Sequence, residues 1–179
     1  PVPAVLVSCG AAEGSKPNLI TIAWVGSVCS DPPMLSISVR PERYSHGILQ
    51  ATREFVVNVP SVQQARATDW CGMVSGRKAD KFAAMGLTPA PALKVKCPIV
   101  LECPLNIECR VQKTLNLGSH TLFLAEVVAV QVHTGLVDAK GRLRVEDAGL
   151  LAFAHGEYFA LGRSLGRFGF SVRKRRRKT

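Results

Sequence analysis

The sequence that decides the fold is PNLITIAWVGSVCSDPPMLSISVRPERYSHGIL, residues 17–49. It contains two apolar runs, 19–29 and 34–40, whose β-branched residues and period-two alternation predict strands. The segment CSDPP, residues 29–33, predicts a turn between them. Polar and basic side chains follow the second run closely: Arg40, Tyr44, Ser45 and His46. A surface hairpin requires a turn but not this concentration of polar groups, which raises the question of what lies between the two strands.

Four further runs have the same strand pattern: 4–9, 54–59, 100–117 and 120–133. Gly118-Ser119 is predicted to link the last two as a hairpin turn. Six or more strands in antiparallel order favour a mainly β fold, a β-barrel with a few helical insertions. Because a small barrel is filled with side chains, we expect a cofactor on its outer wall or at a contact between subunits.

Three stretches are typical of short helices. The first, 45–54, has Ser45 as its predicted N-cap. The second, 62–76, is predicted to end at Gly76, and the third, 78–86, has Gly86 as its C-cap.

The composition fits one domain, since 179 residues that are 47% hydrophobic and 20% charged can bury a sizeable core. No apolar stretch reaches the roughly 20 residues of a membrane span. No secretion signal is visible, and because the chain opens on PVPAVLVSCG without Met, we expect a few residues to precede it. The net charge is +10, of which six charges lie in RKRRRK, 173–178. This run predicts a solvated, flexible tail; the alternative is non-specific attraction to RNA, DNA or anionic lipid.

Six cysteines occur, at 9, 29, 71, 97, 103 and 109, without a CxxC motif or metal-ligand spacing. The four histidines likewise show no metal spacing, and no metal site is predicted. We expect reduced thiols in a cytoplasmic protein, with at least five of the six packed in the core. Cys97, Cys103 and Cys109 are expected to share one face of an extended strand that Pro98 and Pro104 interrupt.

Two basic turns are candidate phosphate sites. At the first, Arg40, Arg43, Ser45 and His46 surround a predicted helix start, whose free N–H groups favour an anion. An ordinary capped helix with solvated arginines is the equal alternative. The second is SGRKADKF, 75–82, which lacks the spacing of a nucleotide-binding P-loop and is by itself more typical of a solvated helix start. Together the two turns favour one shared phosphate.

Three further side chains have two interpretations each. Trp24 is more often a core residue, but its ring can flank a flat cofactor. Cys29 is either an apolar filler or a thiol that faces a redox ring. His120 is either structural or a donor to a carbonyl or phosphate oxygen. The motifs G-x-S-x-G, H-E-x-x-H and G-x-G-x-x-G are absent, which weakens hydrolase and Rossmann interpretations. The residues favour a flat, phosphorylated ligand without naming it.

A resemblance to a known family indicates which ligand this is. The ordered segments PNLITIAW, CSDPPMLSISVRP, YSHGIL, EFVVNV, SGRKADKF, PIVLECPLNIECRV and GSHTLFLAEVVAV resemble the flavin reductase-like, FMN-binding split-barrel family, nearest to flavoredoxin. The similarity runs from about residue 3 to about residue 162. It implies a Greek-key split β-barrel domain over 1–162, followed by the flexible basic tail 163–179. It also implies a homodimer with FMN near the subunit contact.

The resemblance further implies a role for each matching residue. Asn18, Thr21 and Trp24 would lie along the phosphate and ribityl chain of FMN. Ser45 and Lys81 would hold the phosphate, with Arg40, His46 and Ser75 as helpers. Cys29, Ser30 and His120 would lie beside the isoalloxazine ring, and Phe153 and Tyr158 would cover the ring or the opening for nicotinamide. No catalytic residue is obligatory; His120 and Cys29 are the candidates.

The implied activity is hydride transfer from NADH or NADPH to flavin, for which the cofactor carries the chemistry. One alternative is an FMN-containing electron-transfer protein that receives electrons from a protein partner and has little NAD(P)H activity. Another is a binding module that docks through its basic tail. No membrane partner is expected, and nucleic acid is a minor alternative.

Overall fold

The computed structural model describes residues 1–11 and 16–172; the basic run 173–178 lies outside these residues. The strands within the described part are β1 Val2–Pro3, β2 Val5–Cys9, β3 Asn18–Ile22, β4 Val25–Ser30, β5 Pro33–Val39, β6 Glu54–Val59, β7 Pro89–Ala90, β8 Ile99–Val100, β9 Leu105–Asn116, β10 Thr121–Val132, β11 Leu151–Ala154 and β12 Glu157–Ala160. The α-helices are α1 Tyr44–Thr52, α2 Ala65–Met73 and α3 Lys81–Met85. Single 3₁₀ turns occur at Val62–Gln64, Thr134–Leu136, Val145–Asp147 and Phe170–Val172.

Seven strands form one antiparallel sheet in the order β3-β2-β6-β9-β10-β5-β4. The sheet is rolled, because Ile20 near one edge and Ile37 near the other belong to the same buried cluster as Phe55 and Phe123. The edge strands β3 and β4 are not hydrogen-bonded to each other, which leaves the barrel split on one side. The interior is filled with side chains, as expected for a small barrel.

The connection from β5 to β6 carries α1 and crosses β10 and β9, the long connection that a Greek-key arrangement requires. The outer face of β2 and β3 is covered by α2 and α3, through a cluster that includes Leu6, Leu19, Cys71 and Phe82. The strands β1, β11 and β12 form a separate three-stranded sheet. The two helices over β3 therefore flank the split edge of the barrel.

Most strands were predicted correctly from the sequence. Two predicted strands have the wrong boundaries, because the chain leaves the extended conformation inside each run. The run 19–29 is not one strand: β3 pairs with β2, β4 pairs with β5, and Ala23-Trp24 carries the chain between these two edges of the sheet. The run 100–117 forms a long strand only from Leu105. The chain turns at 101–104, and this turn ends at Pro104.

Helix and turn predictions had mixed outcomes. Gly86 is the C-cap of α3 with φ +62°, and Gly118 turns the β9–β10 hairpin with φ +90°, so both predictions are confirmed. Ser45 is not an N-cap: α1 begins at Tyr44, and Arg43 holds the cap position without a side-chain hydrogen bond. The helix predicted over 62–76 begins as a 3₁₀ turn and continues as α2 only to Met73.

Five cysteines are buried and Cys29 is exposed, which confirms the predicted core packing. The expectation that Cys97, Cys103 and Cys109 share a strand face is wrong. Only Cys109 lies on a strand, and the three thiols belong to three different apolar clusters. A spacing of six residues sets a common face only where the backbone stays extended, and here the chain turns twice.

Candidate functional site

Lys81 is the first residue of α3 and only 5% exposed. Its Nζ donates a 2.6 Å hydrogen bond to the carbonyl oxygen of Cys71 on α2. No carboxylate of the described residues lies within ion-pair distance of it. Burial lowers the pKa of Lys81, the result expected for an ammonium group removed from water without a counter-ion. A buried cation in this state favours an anionic ligand.

Asn18 and Ser45 are joined beside this lysine. The Nδ2 of Asn18, at the start of β3, donates to the Oγ of Ser45 in the first turn of α1 at 2.7 Å, and both residues are buried. The Cys9 thiol lies beneath them: burial raises its pKa to about 12, and hydrogen bonds from Ser45 and Asn18 and the charge of Lys81 oppose that rise. The Asn18–Ser45 hydrogen bond thus joins the edge strand β3 to the first turn of α1, next to the Lys81 ammonium group.

These groups line a cavity of about 350 Å³, which we call the Lys81 cavity. Ser75 and Arg43 line it too, so the two basic turns singled out in the sequence meet at one place. Gly76 is required here, since a Cβ at this position would lie 2.0 Å from Oδ1 of Asn18. A shared anion site is what this convergence predicts.

A neighbouring cavity of about 200 Å³, the Trp24 cavity, shares Ile20 and Arg43 with the Lys81 cavity. Trp24 is 59% exposed, so the core interpretation of this residue is wrong. Its ring lies 4.3 Å from the imidazole of His120, centroid to centroid, and tilted by 39°. The Nδ1 of His120 is 2.9 Å from Oγ of Ser119.

Thr21 and Arg40 also line the Trp24 cavity. The Thr21 hydroxyl donates to the carbonyl oxygen of Thr68 on α2, so it fastens the helix to the strand. Arg40 is exposed and forms a 3.1 Å ion pair with Glu42. The Trp24 cavity therefore has an aromatic side and a basic rim.

Five predicted residues line neither cavity, and three of them are Cys29, Ser30 and His46. Cys29 and Ser30 are exposed at the end of β4, where the Cys29 thiol donates to the carbonyl oxygen of Asp31 at 3.3 Å. The interpretation of Cys29 as a buried filler is therefore wrong. His46 points inward, with Nε2 2.9 Å from Oγ1 of Thr121 and its ring edge-on to Phe123. The imidazole packs between α1 and β10 rather than beside Ser45.

Phe153 and Tyr158 are directly opposed on the β11–β12 hairpin, with ring centroids 5.1 Å apart. Burial, with the charge and hydrogen bond of Asp69 on α2, raises the pKa of Tyr158. Neither ring lines the Lys81 cavity or the Trp24 cavity. The sequence predicted the aromatic character of this segment but not the hairpin that pairs the two rings.

Two residues that line the cavities were given no flavin-binding role by the resemblance. Arg43 lines both cavities and donates to the carbonyl oxygen of Gly72 at 3.4 Å. Tyr44 lines the Lys81 cavity and carries the guanidinium of Arg77 5.6 Å from its ring centroid. The basic cluster before the helix was the available signal for Arg43; nothing in the local pattern distinguished Tyr44.

Among residues 1–11 and 16–172, no group of three or more His, Cys, Asp or Glu side chains is placed to hold a metal ion. Within the same residues, none of the helices has the length and apolar character needed to span a membrane.

Comparison with known proteins identifies the family. Residues 1–162 match the family model described as flavin reductase like domain. Flavoredoxin of Desulfovibrio vulgaris (Miyazaki F) superposes with a TM-score of 0.89 at 31% identity, covering 97% of this chain and 93% of that one. A split barrel domain protein from Shewanella frigidimarina NCIMB 400 superposes with a TM-score of 0.84 at 20% identity, covering 94% and 86%, which shows the fold. NADPH-flavin oxidoreductase of Streptomyces viridifaciens is 28% identical over 74% of this chain and 70% of its own length.

These findings confirm the predicted resemblance, the likeness to flavoredoxin and the mainly β split-barrel fold. The match spans about nine-tenths of the 179 residues and includes every residue that lines the two cavities. The chain therefore belongs to the flavin reductase-like family.

Proposed function

We propose that this flavin reductase-like oxidoreductase binds FMN and transfers a hydride to it from NADH or NADPH. The observation that carries the proposal is the buried Lys81 ammonium group, which lies beside the Asn18–Ser45 pair and faces a cavity. Glu42 lines the same cavity but is paired with Arg40, and a dianionic phosphate would supply the direct partner for Lys81 that no described carboxylate provides. The residues present therefore fit the phosphate end of FMN, which Lys81, Ser45, Asn18 and Ser75 would hold.

The Trp24 cavity fits the flat end of the same ligand. Trp24 presents a half-exposed indole at the split edge of the barrel, and Thr21 fixes the strand beneath it through Thr68. The Nε2 of His120 has no hydrogen-bond partner in the described part of the chain, which leaves it available to a polar ring atom. Bound FMN would supply the hydride acceptor, and the protein would position the two rings and exclude water. The candidate for a direct catalytic contact is His120.

Cys29, Ser30, Phe153 and Tyr158 lie outside both cavities, and we propose that they approach the ligand across the contact of a homodimer. Cys29 and Ser30 are exposed on an edge strand, and Phe159 beside Tyr158 is 46% exposed. Exposed apolar and edge-strand groups are suited to a subunit contact. The six cysteines are all free, which supports the proposed cytoplasmic location.

A second candidate is an FMN-containing electron carrier that receives electrons from a protein partner. The similarity to flavoredoxin, at 31% identity over 97% of this chain, supports it. The third function, docking through the basic tail, rests on the basic run 173–178, which lies outside the described residues; the first part of the tail, 163–172, is described and almost entirely exposed.

The test is an anaerobic titration of the flavin-loaded protein with NADH and, separately, NADPH. Rapid bleaching of the flavin absorbance by NADH or NADPH supports the proposed reductase activity. Retained colour with either nucleotide, followed by bleaching with a reduced small redox protein, supports the electron carrier. A folded protein that takes up no added FMN contradicts both.

A further inference from the structure

Residues 161–172, which we call the arm, follow β12 and leave the barrel. Within the described part of the chain the arm pairs with no strand, and its backbone is joined to the rest of the fold by a 3.4 Å hydrogen bond from the N–H of Leu161 to the carbonyl oxygen of Leu150. Its large apolar side chains are all exposed: Leu161, Leu165, Phe168, Phe170 and Val172. Exposed apolar side chains that follow one another this closely indicate an interaction surface.

A local turn gives the arm a defined shape. The N–H of Phe170 donates to the carbonyl oxygen of Arg167 at 2.8 Å, and Gly169 has φ +79°. The Phe170 ring lies against Gly166, where a Cβ would be 2.7 Å from the ring. Phe168, within this turn, is fully exposed. The turn therefore presents an aromatic ring to the surroundings instead of packing it on the barrel.

Most of the net positive charge of the protein lies in the same part of the sequence. Eight of the 23 lysine and arginine residues follow Gly162: two arginines in the arm and the six cations of the run 173–178. None of the 13 carboxylates does, since the last one in the sequence is Glu157. Residues 1–162 keep 15 cations and 13 carboxylates, a net charge of +2. A second copy of the chain thus offers no excess of negative charge, whereas an anionic surface would attract these cations.

The apolar side chains distinguish between two kinds of anionic surface. Nucleic acid attracts cations and stacks on flat rings, and aliphatic side chains add little to either contact. Three of the five exposed apolar residues are aliphatic, and Leu165 and Val172 are each 83% exposed. A lipid surface accommodates aliphatic and aromatic side chains at the acyl boundary, while lysine and arginine contact the anionic headgroups. Apolar insertion and a basic cluster are together the two signals that stable attachment to a membrane needs.

We propose that residues 161–178 dock this protein on the surface of an anionic lipid membrane. The exposed apolar side chains of the arm enter the acyl boundary, and its two arginines and the run 173–178 lie at the headgroups. The proposal goes beyond flavin chemistry and does not depend on it. The sequence predicted no membrane partner because no apolar run is long enough to span a bilayer, but docking on a surface requires no spanning segment.

The experiment is co-sedimentation of the full chain with vesicles of phosphatidylcholine that contain about one-third phosphatidylglycerol, compared with vesicles of phosphatidylcholine alone. The wild type is expected to bind the anionic vesicles at least about 100-fold more tightly, because each cation near an anionic surface strengthens binding about fivefold. Leu165→Ser/Phe168→Ser keeps every charge and is expected to weaken this binding at least about tenfold. The matched control is Leu93→Ser/Leu101→Ser, at two exposed leucines outside the arm.

Each other outcome overturns the proposal. A wild type that does not bind the anionic vesicles at low salt refutes docking directly. If Leu165→Ser/Phe168→Ser binds them as tightly as the wild type does, the attraction comes from charge alone and the arm does not insert. Tighter binding to a single-stranded oligouridine than to the vesicles, lost in Phe168→Leu/Phe170→Leu, would assign the arm to nucleic acid.

A change of oligomeric state is the remaining contrary result. If Leu165→Ser/Phe168→Ser converts a dimer to a monomer in analytical ultracentrifugation and the wild type ignores the vesicles, the arm covers a second copy instead. Thermal unfolding of the variants should match that of the wild type, because the substituted side chains are exposed. Flavin uptake is measured separately, so its failure would count against the proposed function and not against membrane docking.

Discussion

The indole of Trp24 stacks on the imidazole of His120 at a centroid separation of 4.3 Å, although the two residues belong to different parts of the barrel. Trp24 lies in the link between β3 and β4, and His120 directly precedes β10. The stack thus joins the split edge to the β9–β10 hairpin, and it leaves 59% of Trp24 exposed. An exposed aromatic side chain fixed in this way is prepared for a flat ligand.

Replacing Trp24 with Ala should raise the dissociation constant of FMN by at least about fivefold, because ring stacking contributes roughly 1 kcal/mol beyond the buried area. Trp24→Phe should retain most of the affinity. Indole fluorescence in a Trp70→Phe background should fall on flavin addition, since Trp24 is then the only indole. If Trp24→Ala binds FMN with unchanged affinity, the Trp24 ring does not contact the flavin.

Lys81→Met should raise the dissociation constant of FMN by roughly 10- to 100-fold, the effect of losing a buried charged contact. Riboflavin, which has no phosphate, should bind both forms equally. Because burial lowers the pKa of Lys81, the amine loses its proton at lower pH than an ordinary lysine, and FMN affinity should fall as pH rises through that range. Lys140→Met, at an exposed position, is the control. Equal loss of riboflavin and FMN would indicate a folding defect instead.

One thiol should react with an aromatic disulfide reagent in the native protein, and six should react after denaturation. Cys29 is exposed, whereas burial raises the pKa of Cys71 to about 11 and of Cys9, Cys103 and Cys109 to about 12. Buried thiols with raised pKa values are poor nucleophiles. Cys29→Ser should abolish the fast phase, and a fast phase that persists would refute the assignment.

Glu108→Gln should lower the free energy of unfolding by about 2 kcal/mol, the scale of hydrogen bonds to a charged group. The Glu108 carboxylate is fully buried and accepts hydrogen bonds from the N–H of Leu93 at 2.9 Å, the N–H of Lys94 at 2.6 Å and Nε2 of Gln131 at 2.9 Å. Urea unfolding measures the change. Glu157→Gln, at an exposed position on β12, is expected to have little effect.

The pH dependence of the same variant gives an independent check. Burial opposes ionisation of Glu108, but these hydrogen bonds outweigh it and hold its pKa below the ordinary value. A lowered carboxyl pKa stabilises the folded state above the ordinary pKa and loses that effect as pH falls. The stability difference between wild type and Glu108→Gln should therefore stay level from about pH 7 to about pH 5 and shrink as the pH falls further, below the ordinary carboxyl pKa. A difference that stays constant would contradict the charged state.

Periodicity predicted strands such as β5 well because buried and more exposed residues alternate along them. It failed at residues 19–29, where the apolar pattern continues while the strand changes its partner from β2 to β5. A partner change across a rolled sheet leaves no mark in a single sequence. The end of β3 at Ile22, which the pattern did not predict, places Trp24 between the free edges of the barrel. This position is what exposes its ring.

The residues proposed to hold the phosphate were chosen by residue type, which did not predict how they are arranged. Ser45 looked like an N-cap, yet it lies one residue inside α1, where its hydroxyl accepts from Asn18. His46 was grouped with it by neighbourhood in sequence, but successive helical residues point about 100° apart, and this side chain turns to Thr121. Arg43 was visible in the same cluster, and only the fold shows that it borders both cavities.

The link Ala23-Trp24 is two residues long and spans the gap between the barrel's free edges. Such a short tether leaves no slack for insertions, whereas the exposed turns at 139–142 and 155–156 have room to grow or shrink. Any lengthening between Ile22 and Val25 would displace the indole from Thr21 on one side and Arg40 on the other. Insertions and deletions among homologues of this protein should therefore occur in those outer turns and not in the Ala23-Trp24 link.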